Sequence, residues 1–314
     1  MVSRLSQKLS SEFDVSIVLF GAHSEITYPY SGRVIYLDRR GPRHTLDKIL
    51  TLFLRVRQMK SILRGDANSI VISFLEYPNL INLLTPKGCK TIVSVRNHMS
   101  TQYTDEGMGR FWNATIRLLY GRADRIIAVS KEVKRDLISE YGLPGWKITV
   151  LYNSYPLQKI TELSQEEVDD KHRWVFEFPV IISVGRLVAQ KGQWHLIRAF
   201  ARVKREVPKA KLVILGEGNL KDRLQRLARE LGVSNDVHFL GFQRNPFKYV
   251  ARSRVFVLSS LYEGFPNALA EAMACGIPVV SSDCPSGPRE ILAPGEFGEN
   301  EISYKIDPDR SGAL

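Results

Sequence analysis

The stretch Glu263-Gly264-Phe265-Pro266-Asn267-Ala268-Leu269-Ala270-Glu271 lies between two short apolar runs, residues 254–258 and 278–281. A β-branched run, a loop carrying Gly and Pro, a helix-forming run and a second apolar run together predict a strand–loop–helix–strand unit. Two carboxylates eight positions apart frame that unit. The spacing predicts Glu263 at the helix start and Glu271 roughly two turns later on the same face. Free backbone N–H groups at a helix start suit a phosphate, and carboxylates accept hydrogen bonds from hydroxyls. The order suits a ligand with a sugar at one end, a diphosphate in the middle and a ribose at the other.

Working outward, the same alternation recurs along the whole chain. Apolar runs at residues 15–20, 69–74, 91–95, 125–129 and 148–151 form one series of strands. Runs at 180–184, 211–215, 236–240, 254–258 and 278–281 form a second. Helical patterns lie between them, at 45–63, 131–141, 193–207 and 219–231. Strands apolar on both faces and separated by helices predict parallel sheets covered on both sides. The fold class is α/β, with two doubly wound domains, 1–155 and 156–314, facing a cleft. The junction is placed at residues 152–177, and a ligand is expected beyond the carboxyl ends of the strands. The chain opens on an amphipathic helix (Leu5, Leu9, Phe13) rather than a strand, and no helix closes the second series. A first strand with its loop and a C-terminal helical segment are therefore expected to be missing.

The 314 residues suffice for two cores, and 44% hydrophobic with 25% charged residues is ordinary for a globular protein. Cys89, Cys275 and Cys284 are widely spaced, which argues against a disulfide framework or a zinc site and fits a reducing compartment. No apolar run reaches the ~18 residues of a membrane span. Glu12 and Asp14 interrupt the only stretch resembling a leader. A cytoplasmic chain is expected. The formal charge of +11 is uneven: residues 1–155 hold 22 Lys and Arg against 13 Asp and Glu, a net of +9. Such asymmetry points to a polyanionic partner of the first half. RNA-type aromatic–basic motifs are lacking, so nucleic acid is not expected. Residues 48–64 combine Lys48, Arg55, Arg57, Lys60 and Arg64 with Leu50, Phe53, Leu54, Val56 and Ile62. This is either a sheet-covering helix with a basic outer face or a helix lying on an anionic leaflet.

Further candidates come from strand ends. Ser183-Val-Gly-Arg-Leu-Val-Ala-Gln-Lys-Gly192 places Gly185, Arg186 and Lys191 between a strand end and a helix start. Two cations there can neutralise a diphosphate leaving group, although an isolated Arg and Lys would read as a solvated loop. Leu215-Gly-Glu-Gly218, with Glu217, is either a tight strand-to-helix turn or a nucleotide contact, since it lacks the full dinucleotide fingerprint. Glu271 sits among Ala268, Leu269, Ala270, Ala272, Met273 and Ala274, and an acid in apolar surroundings needs a partner. His98, in Ser94-Val-Arg-Asn-His98, is a candidate base or acceptor ligand, or else structural. Glu76 after Phe74 is a comparable candidate, and Arg96 suits an anionic acceptor. Asp307-Pro-Asp309 has the spacing of a metal-binding pair, but Pro308 favours a turn. No metal and no cofactor are expected. Asn113-Ala-Thr115 is a glycosylation sequon in form only.

Taken together, these residues resemble the retaining glycosyltransferases of the two-domain GT-B fold, in the glycosyltransferase group 1 family. The carriers are Val184-Gly-Arg-Leu with Gln190-Lys-Gly192, Leu215-Gly-Glu-Gly218, Val237-His-Phe-Leu-Gly241, the Glu-x7-Glu stretch and Glu271-Ala-Met-Ala-Cys-Gly-Ile-Pro278. Ser286-Gly-Pro-Arg-Glu-Ile291 is similar to bacterial surface-polysaccharide members. The resemblance implies that Arg186 and Lys191 hold the diphosphate of a nucleotide sugar and that Glu263 binds donor sugar hydroxyls. It implies that Gly264, Phe265, Pro266 and Asn267, with Leu269, face the sugar and phosphates. Glu271 would bind the ribose, and the peptide around Gly241, Phe242 and Gln243 would meet the base. A UDP-linked donor and a lipid-linked or growing surface glycan at the inner membrane face are implied. The family's glycine-rich loop after the first strand and the His found where Phe74-Leu-Glu-Tyr-Pro78 stands are not present, which leaves His98 and Glu76 as the substitutes. Another reaction on the same fold, such as UDP-sugar epimerisation, and an inactive nucleotide-sugar-binding fragment are the rivals.

Overall fold

The computed structural model describes residues 2–20, 29–37, 45–64, 67–86, 88–104 and 107–294. The chain forms two compact units. One comprises Met1–Arg96, Asp105–Ala128 and Leu137–Leu151, and the other Asn97–Thr104, Val129–Asp136 and Tyr152–Leu314.

In chain order, the first half contains α1 (Val2–Leu9), β1 (Ser16–Phe20), β2 (Arg33–Leu37), α2 (Thr45–Ile62), β3 (Ile70–Phe74), α3 (Glu76–Leu84) and β4 (Lys90–Val95). It continues with α4 (Met99–Gln102), α5 (Met108–Leu119), β5 (Arg125–Ala128), α6 (Lys131–Ser139) and β6 (Ile148–Val150). In the first unit β3, β4, β5 and β6 form a parallel sheet in sequential order, while β1 and β2 pair in parallel as a separate ribbon. The two sheets meet through side chains: Leu37, Met59 and Ile81 are buried together, with Phe20, Val56, Val71 and Tyr77 packed against them. Parallel pairing with helices between strands is the pattern that apolar, two-sided strands predict. The strand β2 has no counterpart among the sequence expectations, although its run Val34-Ile35-Tyr36 is β-branched and apolar. Its start is fixed by Gly32 at φ +102°, where a Cβ would lie 2.2 Å from the Val15 carbonyl oxygen.

The second half contains α7 (Leu157–Gln165), α8 (Asp170–Arg173), β7 (Val180–Val184), α9 (Gln193–Glu206), β8 (Lys211–Leu215), α10 (Lys221–Glu230) and β9 (Val237–Gly241). Then come α11 (Phe247–Val250), β10 (Val255–Leu258), α12 (Asn267–Ala274), β11 (Val279–Ser281) and α13 (Pro288–Leu292). The stretch 152–177, expected as a junction, is largely helical and packs Val168 and Val175 into the core of the second unit. All strands of the second sheet run parallel in the order β11-β10-β7-β8-β9. Successive residues of each strand feed opposite cores. Ile182, Val213, Leu215, Phe256 and Leu258 pack with Leu269 and Ala272 of α12. Leu212, Ile214 and Val257 pack with Ile197 and Phe200 of α9 and Leu224 of α10. Each such side chain contributes ~1.5–3 kcal/mol of burial. A one-residue slip would exchange the two sets, so the register is held from both sides.

This order positions the site. The chain enters at β7 in the middle, moves out through β8 and β9, then crosses to β10 and β11 on the other flank. The winding reverses between β7 and β10, and their carboxyl ends open a crevice where ligands of open α/β sheets bind. The pair Asp307 and Asp309 lies outside the described residues.

Candidate functional site

Two loops leave the sheet at that reversal point. After β7 comes Gly185, Arg186 and a short helical turn ending at Lys191. After β10 come Ser259, Ser260 and, five residues past the strand end, Glu263. They are bonded to each other: Leu261 N–H donates to the Gln190 carbonyl at 2.8 Å, Gln190 Nε2 donates to the Tyr262 carbonyl at 3.1 Å, and Ser259 Oγ donates to the Lys191 carbonyl at 2.9 Å. Gly192, at φ +56°, turns the first loop into α9, and a Cβ there would lie 2.3 Å from the Ser259 carbonyl oxygen. Only glycine lets the two loops approach this closely.

The result is a buried ion pair. Lys191 Nζ lies 2.5 Å from Glu263 Oε1, with side-chain exposures of 19% and 6%. Ser260 Oγ, also buried, donates to the same Oε1 at 2.6 Å. The Lys191 stem runs along Gly185, which has no side chain to obstruct it. The Glu263 backbone is held at both ends: its N–H donates to the Pro285 carbonyl at 3.1 Å, and its carbonyl accepts the His98 N–H at 3.0 Å. A carboxylate buried this deeply needs such partners. Arg186, on the same loop as Lys191, is exposed, and its carbonyl accepts Gln193 Nε2 at 2.9 Å.

Glu263 was expected to open the helix; it precedes it. The helix α12 begins at Asn267 with Pro266 as its cap residue. Glu263 belongs to the bend before Pro266, so it does not share a helical face with Glu271. Pro266 cannot continue a ladder of N–H donors backwards, which sets the helix start after it. Glu271 is half-buried on α12, whereas Leu269 and Ala272 carry that helix into the core. The Leu269 side chain is fully buried, and its N–H turns to the Pro266 carbonyl at 3.2 Å. Glu271 also acts on a neighbour: burial first, and the Glu271 charge second, push the Cys275 thiol up to about 11.

The bend Gly264–Asn267 is braced by α13 and the loop before it. Ser286, at φ +68°, donates Oγ to the Gly264 carbonyl at 2.7 Å and lies 2.7 Å from Ser130 Oγ. A Cβ on Gly287 would sit 2.4 Å from Pro266 Cδ. Glu290 accepts the N–H groups of Lys131 and Glu132 at 3.0 and 2.9 Å and the Tyr152 hydroxyl at 2.8 Å. The Tyr152 ring packs on Phe265 at 5.1 Å, and Asn267 Oδ1 accepts Asn153 Nδ2 at 2.7 Å and the Tyr155 hydroxyl at 2.9 Å. Ser286 and Glu290 lie in the 286–291 stretch that carries the resemblance and Ser260 stands just before Glu263, but none of the three was assigned a role from sequence. Their signal was positional, a serine pair directly after a strand and a Glu one turn into a Ser-Gly-Pro helix start.

At the third strand end the glycines answer a packing need. Gly185 N–H donates to the Leu215 carbonyl and Leu187 N–H to the Glu217 carbonyl, at 2.9 and 2.8 Å. A Cβ on Gly216 would lie 2.1 Å from the Gly185 carbonyl oxygen, and one on Gly218 would lie 2.3 to 2.7 Å from three Leu187 backbone atoms. Glu217 is exposed, near Gly241 at the end of β9, and Phe242 beyond it is 59% exposed.

His98 caps α4, and its Nδ1 lies 3.0 Å from Thr101 Oγ1 and 3.3 Å from Ser100 Oγ. The buried Asp136 is 3.7 Å away and accepts the Met99 N–H at 2.8 Å. Glu76 belongs to the first unit. It stands not in a loop but at the first position of α3, after Leu75 at φ 73°. Burial raises its carboxyl above the usual carboxylate range. Arg96 Nη1 is buried. Arg55 is buried as well, its guanidinium 5.4 Å from the rings of both Phe20 and Tyr77, so it is no part of a basic outer face. Among the described residues no group of three His, Cys, Asp or Glu side chains could hold a metal ion, and no helix is long and apolar enough to cross a membrane.

Known proteins share both sequence and fold with this chain. A family model described as "Glycosyltransferase Family 4" matches residues 1–159, and one described as "Glycosyl transferases group 1" matches residues 164–307. An uncharacterized glycosyltransferase of Methanocaldococcus jannaschii is 40% identical over 77% of this chain and 58% of its own length, so the match spans little more than half of that relative. The N-acetylgalactosamine-N,N'-diacetylbacillosaminyl-diphospho-undecaprenol 4-alpha-N-acetylgalactosaminyltransferase of Campylobacter jejuni is 34% identical over 99% of this chain and 83% of its own length. Among solved structures, an Anabaena protein in complex with UDP and glucose superposes with a TM-score of 0.66 at 18% identity, over 83% of this chain and 70% of that one. The fold is that of the GT-B glycosyltransferases, and the chain belongs to the glycosyltransferases, with a family 4 first half and a group 1 second half.

Proposed function

We propose that the chain moves a sugar from a UDP-type donor to a lipid-linked or growing surface glycan, with retention of configuration. The observation that carries this reading is the Lys191–Glu263–Ser260 cluster at the carboxyl ends of β7 and β10, where the winding of the sheet reverses. It joins a cation that can face a diphosphate to a carboxylate that can accept sugar hydroxyls. Arg186 adds a second, exposed cation on the same loop. These cations offset the charge that develops on the departing phosphate, which is where fixed charges act most on rate. Glu271 binds the ribose, and the peptide at Gly241, Phe242 and Gln243 meets the base. The bend Gly264–Asn267 lies along sugar and phosphate. Same-face attack, with the departing phosphate taking the acceptor proton, gives retention without a strong protein base, so neither His98 nor Glu76 is required as one. No metal is needed, since Arg186 and Lys191 supply the positive charge. The UDP and glucose held by the Anabaena protein and the lipid-linked substrate in the Campylobacter enzyme's name support the donor and acceptor classes.

The acceptor's membrane is met by the first unit. On α2, Ile49, Leu50, Phe53 and Leu54 are 64, 58, 65 and 38% exposed, and Arg57, Lys60 and Arg64 continue the same outward side. Apolar side chains flanked by cations suit the interface of an anionic leaflet at the inner face of the cell membrane.

The test supplies labelled UDP-sugars with a polyprenyl-diphosphate-linked glycan. Label in the glycan, in the donor's anomeric configuration, supports the proposal. An epimer or a sugar phosphate would instead make this another GT-B reaction, and donor binding without turnover would make the chain a binding fragment.

A further inference from the structure

We infer that the Lys191–Glu263 ion pair is an exchange device that lowers affinity for the nucleoside diphosphate once the sugar has gone, which makes Glu263 a determinant of product release. The inference rests on the reading of Lys191 as a diphosphate ligand and Glu263 as a sugar ligand. Its basis is that these two side chains are ligands of each other. Lys191 Nζ lies 2.5 Å from Glu263 Oε1, and Ser260 Oγ reinforces the same oxygen at 2.6 Å. The carboxylate is only 6% exposed, so water replaces neither partner freely.

The consequences follow from charge and solvation. A bare nucleoside diphosphate has to draw Lys191 from a carboxylate that gains nothing in return. That carboxylate keeps only Ser260 and is left under-compensated in a buried place, which is costly. A nucleotide sugar brings hydroxyl donors that replace the lost ammonium at Glu263 while its diphosphate takes Lys191. The same carboxylate therefore favours the intact donor and opposes the spent one. When the sugar departs, Glu263 loses its hydroxyl partners and competes again for Lys191. The backbone of Glu263 is tied to Pro285 and His98, so the carboxylate stays within reach through the cycle.

The experiment is titration calorimetry of the full chain with UDP, GDP and ADP and with the matching nucleotide glucoses. The variants are Glu263→Gln, Lys191→Met and the double variant. Glu263→Gln is expected to bind the preferred nucleoside diphosphate at least about tenfold more tightly, because a charged competitor for Lys191 is gone. It should bind the nucleotide sugar no more tightly than the wild type. The gain should vanish in the Lys191→Met background. Glu263→Asp, which withdraws the carboxylate by one methylene but keeps its charge, should tighten diphosphate binding in the same direction by a smaller factor. It serves as the readout should the Gln variant fail to fold. If Lys191→Met weakens both ligands while neither Glu263 variant tightens the diphosphate, the exchange device is wrong and the site reading stands. If Lys191→Met leaves both ligands unchanged, or no nucleotide binds the wild type, the site reading itself falls and takes this inference with it.

Discussion

The two units use one architecture to opposite ends. In the second unit, strand ends converge on polar groups held in place from several sides. Lys191 and Glu263 answer each other, Ser260 and Ser286 fix the bend between them and α12, and glycines at 192, 216 and 218 bring the loops to distances that no Cβ would permit. In the first unit, the end of β3 leads into a residue of positive φ, Leu75, and a carboxyl, Glu76, that burial raises above the usual carboxylate range. Its most distinctive surface is apolar, the outward side of α2. A parallel sheet covered by helices is thus only a platform. The second unit has invested its strand ends in charge and rigid geometry, the first its outer helix in a combination of apolar and basic side chains.

The largest expected effect breaks the second unit's chemistry. Lys191→Ala and Glu263→Ala should each lower turnover by about 10²–10³-fold, the scale of losing a fixed charge or donor aimed at developing charge. Glu271→Ala should act chiefly on nucleotide binding. Steady-state kinetics at several donor concentrations separate the two, and unchanged donor kinetics in all three variants would remove the site from these residues.

Next comes the geometry that supports it. Gly218→Ala drives a Cβ into the Leu187 backbone and should cost on the order of 2–4 kcal/mol, read as a lower Tm. Gly121→Ala, with nothing within 4 Å and an unremarkable φ, is the control and should change Tm little. Equal effects at the two positions would mean that close loop packing is not what selects glycine there.

The first unit's contribution is smaller and of another kind. Phe53→Ser should weaken binding to vesicles rich in phosphatidylglycerol by roughly tenfold, since one large apolar side chain is worth about 1.5–3 kcal/mol when buried. Activity on a soluble acceptor should be preserved. Sedimentation that ignores both Phe53→Ser and Leu50→Ser would turn attention away from α2.

The smallest effect is electrostatic. Burial raises the Glu76 carboxyl, so its folded form holds a proton that the unfolded chain releases at lower pH. Such a group favours folding below the unfolded value and loses that contribution as pH rises through the folded one. Glu76→Gln should therefore raise Tm slightly at pH 7 and leave it unchanged near pH 4. A gain equally large at both pH values would assign the effect to something other than this proton.

Much of this was legible in the sequence, and for a definite reason. A strand buried on both faces must be apolar at nearly every position, so the runs at 180–184 and 211–215, broken only by Ser183 and Lys211, announce a parallel sheet before any contact is known. The run of β2 escaped although it is as long as β1, because it opens on Arg33 and runs into the charged Asp38, Arg39 and Arg40. Pro266 showed where a helix could not extend, yet the spacing of Glu263 and Glu271 suggested a shared helical face. Period alone cannot tell a helix from a bend that precedes one. For α2 the sequence gathered cations and apolar side chains without saying which of them turn inward; Arg55 does, between two rings, and Phe53 does not.

The sequence by itself determined the alternation of strands and helices, the loop residues at each strand end and membership in the glycosyltransferase family. All are properties of neighbours along the chain, written in a period of two or of 3.6 residues. Only the tertiary structure decided that Lys191 and Glu263, 72 positions apart, form a hydrogen-bonded ion pair, that Ser260 completes it and that Ser286 braces the bend beside it. Those pairings depend on the order in which parallel strands lie side by side. That order is set by which faces must be buried together, and no local pattern records it.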